Sequence, residues 1–104
     1  MSYPEKIKEA VISQNDFKRA KKVLRYFRSQ VPFSTSKSLR REASSLAVLI
    51  EDCKILKMAA GLIVALWNQK SEENLEGIEG FISCLTRKKR ELLDIVEKNI
   101  EYAR

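Results

Sequence analysis

Two clusters of carboxylates stand out as residues that could do chemistry: Glu72, Glu73 and Glu76, and then Glu91 with Asp94, the two sets separated by 15 positions from Glu76 to Glu91. Carboxylates grouped in this way can hold Mg²⁺ against nucleotide phosphates, because the ion is hard and takes oxygen ligands. Other reactions have less material. With no histidine in the chain, Ser-His-Asp and Cys-His nucleophilic pairs are absent, and so are most zinc and haem ligation schemes. Cys53 and Cys84 have no other soft ligand to complete a thiolate metal cluster. Gly61, Gly77 and Gly80 lack the spacing of a phosphate-cradling loop. No cofactor and no metal site is expected.

The acidic clusters, written EENLE and ELLD, resemble those of the all-α nucleoside triphosphate pyrophosphatases of the MazG kind, which carry an EExxE cluster, a spacer and an ExxD cluster. The resemblance covers only these positions. It implies Mg-dependent nucleotide hydrolysis by Glu72, Glu73, Glu76, Glu91 and Asp94. In that family a turn separates the clusters, whereas here the intervening residues read as one continuous helix, which sets Glu73 and Glu91 about 27 Å apart. The expectation is therefore a protein that works by binding and is not an enzyme.

Charge is the more informative signal. Residues 1–44 carry a net +7, residues 45–70 a net +1 and residues 71–104 a net −2, within a total of +6. On one side of the segment from Phe17 to Gln30 lie Lys18, Lys21, Lys22, Arg25 and Arg28, and Arg40 and Arg41 follow across a short loop. Such a stripe suits a phosphate backbone or an acidic protein surface, although solvated lysine-rich helix faces are also common. The seven residues are the candidate polyanion-binding set. The partner is expected to be an acidic protein or nucleic acid, the second through phosphate contacts that carry little sequence information. Tyr26, beside this stripe, either stacks on a base or edges the core.

The elements that position these residues are helical. Three Gly and two Pro stand against 44% hydrophobic and 33% charged residues, and apolar positions recur every three or four residues. The reading is all-α: a compact bundle of three to four helices with a long buried central helix, residues 1–104 forming a single domain. Ser2, Pro4 and Glu5 form a helix start, and Ser13 to Asp16 supplies caps that break the first helix or let it continue. Phe17, Ala20, Val23, Leu24, Phe27 and Val31 make the apolar face of a basic amphipathic helix, and Pro32 ends it. Ser34, Thr35 or Ser36 caps the next, which starts at about Lys37 and runs at helical spacing through Leu39, Leu46 and Cys53 to Trp67, about 32 residues.

From Met58 to Trp67 that helix is apolar or glycine on every face, the mark of a helix buried on all sides. Ala59, Ala60 and Gly61 leave room for another backbone. So small a bundle has few helices with which to surround it, so a second copy is expected to help, giving a homodimer. Phe33, Leu62, Leu66 and Trp67 are the candidate partner or self-association residues. The last helix starts at Ser71 and runs nearly to Arg104, its stripe interrupted by Lys89, with Gly77 and Gly80 marking either a kink or a close crossing.

The longest uncharged run, Met58 to Gln69, is shorter than the roughly 20 residues a membrane span needs. No secretory signal pattern opens the chain, and two cysteines on apolar stripes read as buried thiols, so a cytoplasmic protein is expected.

Overall fold

The computed structural model describes residues 2–33, 37–67 and 75–104, and of Leu75 only the backbone. Five helices follow in order: α1 (Tyr3–Ala10), α2 (Gln14–Gln30), α3 (Lys37–Ala65), α4 (Leu75–Lys98) and α5 (Ile100–Ala103), with a 3₁₀ turn at Val31–Phe33 after α2. The described residues contain no strand. They form an all-α bundle, and none of its helices is long and apolar enough to cross a membrane.

Local chemistry accounts for the helix boundaries. The Ser2 hydroxyl accepts from the Glu5 amide at 3.3 Å, and Pro4 sits in the first turn, where its missing N–H costs nothing. Between α1 and α2 the backbone is extended at Val11 and Ser13, and the Ser13 hydroxyl accepts from the Asp16 amide at 3.1 Å. The first helix is therefore broken in two. Pro32 closes α2 through the short 3₁₀ turn. The expected caps Ser34, Thr35, Ser36 and Ser71 lie outside the described residues.

The last helix departs from its expected course at Asn99, whose side-chain amide donates to the Ile95 carbonyl at 2.9 Å while its backbone leaves helical angles. A short side chain competing for main-chain carbonyls ends α4 there. The turn into α5 brings Tyr102 onto Tyr26, ring centroids 3.5 Å apart and nearly parallel at 6°. Gly77 and Gly80 mark no close crossing: both lie within the unbroken α4, and an added Cβ would meet nothing within 4 Å.

α3 and α4 run antiparallel, and the α1–α2 pair lies along them in two storeys. In the upper storey Phe17, Val23 and Phe27 of α2 close on Leu46, Ile50 and Cys53 of α3 and on Leu92 and Val96 of α4. In the lower storey Ile7 and Ala10 of α1 meet Ala60 of α3 with Ile78 and Leu85 of α4, and Tyr3, Ile63 and Trp67 pack around them. Lys89, the charge that interrupts the last stripe, lies beside α1. Its Nζ donates to the Glu9 carbonyl at 2.8 Å, satisfying an acceptor in the last turn of α1 where a cation also suits the helix dipole.

The molecule measures 54 × 24 × 17 Å. Each storey is built on α3, α4 and one of α1 and α2. This thinness overturns the expectation of a central helix buried on all sides. Leu46 and Ala60 are buried, but Val48, Ile55, Met58, Leu62 and Leu66 of the same helix are 60%, 56%, 66%, 66% and 46% exposed. α1, α2 and α4 all approach α3 from one side, and nothing among the described residues covers the other.

Candidate polyanion-binding surface

All seven candidate basic residues are exposed. Five sit on α2, where the apolar positions Phe17, Ala20, Val23, Leu24 and Phe27 are buried, and this turns Lys18, Lys21, Lys22, Arg25 and Arg28 to one flank. That flank borders α3. Lys21, Arg25 and Arg28 line a groove of about 640 Å³ whose floor is Leu24, Ala47, Val48 and Ile50, with Glu51 on the far wall. A second hollow of about 430 Å³ shares Arg28 and Ala47 and adds Val31, Arg40, Ala43 and Ser44. Four of the seven thus face one continuous furrow between α2 and the start of α3. Lys18 and Lys22 extend the same face of α2 outward, and Arg41 lies on the outward side of α3.

Three other cations of the chain are held by oxygen partners. Arg19 is held by Asp16 and Glu97, both at 3.1 Å. In the run Arg87 to Arg90, Lys88 pairs with Asp52 at 3.6 Å and Lys89 is held by the Glu9 carbonyl at 2.8 Å. Among the described residues none of the seven candidates takes part in an ion pair. Like charges three and four apart repel by a few tenths of a kcal/mol per pair. α2 carries several such pairs, Lys18 with Lys21 and Lys22, and Lys21 with Arg25, with no acid among the described residues within ion-pair distance to offset them.

The four candidate association residues separate into three places. Phe33 is 87% exposed on the 3₁₀ turn, two residues beyond Val31 of the basic furrow. Leu62 and Leu66 lie toward the other end of α3, Leu62 about 37 Å from Lys37 along the helix axis, on the uncovered face. Trp67 is half-buried, its ring 5.6 Å from that of Tyr3 and tilted at 40°, so it belongs to the lower core. Tyr26 is likewise committed, with one face covered by Tyr102. Sequence reasoning missed Val48, Ile55 and Met58 as surface residues. Their spacing with Leu62 and Leu66, steps of 7, 3, 4 and 4 residues, was the available signal.

The carboxylate clusters do not assemble among the described residues. Glu72 and Glu73 lie outside them. Glu76 and Glu91 stand on the same unbroken α4, about 22 Å apart along its axis. Glu91 and Asp94 are exposed, and among the described residues no group of three or more acids or cysteines is placed to hold a metal ion.

Three titrations are displaced among the described residues, those of Cys53, Tyr3 and Tyr102, the last raised chiefly by a hydrogen bond with Tyr26. Burial pushes the Cys53 thiol up to about 11, against a smaller opposing pull from Lys88. The Tyr3 hydroxyl, donating to Glu79 Oε1 at 2.7 Å, is held above its ordinary value chiefly by that hydrogen bond. Both thiols are free. Comparison of the chain with protein-family models, with curated proteins and with solved structures returns no match.

Proposed function

We propose that this protein is a non-enzymatic binding module that holds a polyanion, a nucleic-acid backbone, along the furrow between α2 and α3. The observation that carries the reading is the furrow itself: Lys21, Arg25, Arg28 and Arg40 line two adjoining hollows that share Arg28, and none of them is in an ion pair among the described residues. Lys18, Lys22 and Arg41 widen the positive field around it. Phe33, free at the end of the furrow, supports a single strand over a duplex, because an exposed ring beside a basic groove is a platform on which an unpaired base stacks. A cytoplasmic setting belongs to this reading, in keeping with the two free thiols.

The test is fluorescence anisotropy of labelled single- and double-stranded oligonucleotides across a salt series. Seven phosphate contacts correspond to a slope of about −5 in log K against log salt for a single strand. The variant Lys21→Ala, Arg25→Ala, Arg28→Ala, Arg40→Ala keeps three contacts and should fall to about −2. An unchanged slope in that variant sinks the reading.

A second reading is favoured by the floor of the groove. Leu24, Ala47, Val48 and Ile50 offer an apolar bed between basic rims, which suits an acidic amphipathic helix of a protein partner. Absence of oligonucleotide binding, together with capture of an acidic helical peptide that competes with polyglutamate, would favour it over nucleic acid.

A further inference from the structure

The uncovered face of α3 is the largest unexplained feature of the molecule. Val48, Ile55, Met58, Leu62 and Leu66 follow one another along it, each about half exposed or more. From Ile55 to Leu66 the sequence contains a single charge, Lys57, and that ammonium is drawn away over the Phe17 ring at 5.3 Å. Gly61, in the same stretch, has nothing within 4 Å of an added Cβ. From Ile55 to Leu66 the face is therefore apolar and open to close approach by another backbone, and the exposed Glu51 stands between Ile55 and Val48.

We propose that a second copy of this chain covers it, the two α3 helices packing antiparallel and crossing near Met58 and Ala59. Area argues for a partner of this kind. Five such side chains, partly exposed, present on the order of 500 Å² per copy, and two copies together about 1,000 Å², which is where specific protein interfaces begin. A patch of this size is toward the upper end of what a monomeric protein leaves in water, and patches of that order often mark an interaction site. Self-pairing is the natural occupant because the stretch from Ile55 to Leu66, at the centre of the patch, turns no charge outward that calls for a complementary one.

Charge sets the direction. The same outward side of α3 begins with Lys37, Arg40 and Arg41, all exposed. Parallel pairing would bring these residues against their own copies. Antiparallel pairing about the middle of the apolar stretch places the two basic ends about 58 Å apart. It sets Ile55 of one copy opposite Leu62 of the other. A two-fold axis lying in the interface, at right angles to both helices, also keeps α2 of each copy on the same side of the pair. On the polyanion reading above, the dimer then offers two basic furrows on one side, about 40 Å apart. The interface itself does not depend on that reading.

The experiment is light scattering behind a sizing column, without nucleic acid, from sub-micromolar to sub-millimolar protein, on wild type and Leu62→Lys. Wild type should rise from 12.0 kDa toward twice that mass, and Leu62→Lys should stay at 12.0 kDa with unchanged helical circular dichroism. A wild-type mass of 12.0 kDa throughout, or one of three or more copies, overturns the proposal. Direction is tested by disulfide trapping in a Cys84→Ser background. Ile55→Cys mixed with Leu62→Cys should cross-link, and neither should cross-link to itself, because positions seven apart along antiparallel helices are separated by about 10 Å. Self-cross-linking of each variant alone would show parallel packing and overturn the arrangement.

Discussion

Truncating two leucines of the same helix, Leu46→Ala and Leu62→Ala, separates the role of covered from uncovered surface on α3. Leu46 is 0% exposed among Phe27, Ile50 and Leu92 of the upper core, whereas Leu62 is 66% exposed. Removing three buried carbons from Leu46 forfeits about 2.4 kcal/mol of transfer free energy, and the cavity left behind raises the loss to about 3 kcal/mol. For a protein of this length the melting temperature should drop by about 14 °C. At Leu62 most of the side chain already meets water, so the same change costs the single copy under about 1 kcal/mol, and alanine's better helix propensity offsets part of it. Chemical denaturation at low and high protein concentration reads both. The Leu46→Ala loss should be the same at each concentration, while a Leu62→Ala loss should grow as protein concentration rises, because association stabilises only the folded form. If dilute Leu62→Ala protein is as damaged as Leu46→Ala, α3 is buried all round and the reasoning about the thin bundle is wrong.

Lys89→Met keeps the aliphatic stem but deletes the hydrogen bond to the Glu9 carbonyl, so it should cost about 1 kcal/mol and raise amide hydrogen exchange in α1 more than in the upper storey; uniform exchange would show that this contact does not secure α1. Cys53 supplies a pH test. Its neutral thiol is favoured by burial, so its contribution is complete below the ordinary value of 9.0 and is lost as pH rises through about 11. Wild type should therefore lose stability relative to Cys53→Ala between these values, and parallel pH curves would refute the assignment. At neutral pH a thiol reagent should label Cys84, which is partly exposed, well before the buried Cys53.

Much of the architecture is legible in short stretches of sequence because the physics there is local. Ser2 and Ser13 cap helices through amides three residues on, and Pro32 stops α2 by lacking a donor; neither effect needs a distant partner. The burial of Phe17, Val23 and Phe27 follows from their helical spacing, and the same geometry turns Lys21, Arg25 and Arg28 outward. Their exposure was therefore readable before any neighbour was known.

Which neighbours exist, and on how many sides, was not. Periodicity reports the apolar faces of a helix but says nothing about whether another helix arrives to cover each one. Ala60 and Leu62 belong to the same apolar stretch, yet one is sealed against α1 and α4 and the other faces water. Trp67 and Phe33 are both large apolar side chains near helix ends, and only the return of Tyr3 distinguishes them. Lys89 reads as a flaw in a stripe until the end of α1 is placed beside it. Arg40 joins Arg28 in one furrow through the packing of α2 on α3, across 12 positions of sequence. The sequence by itself determined the helices, their caps and their polar and apolar sides, since each rests on forces acting within a few residues. Only the tertiary structure decided which apolar sides became core and which stayed exposed, because covering a surface requires chain from elsewhere, and this bundle of three helices' thickness leaves α3 with neighbours on one side only.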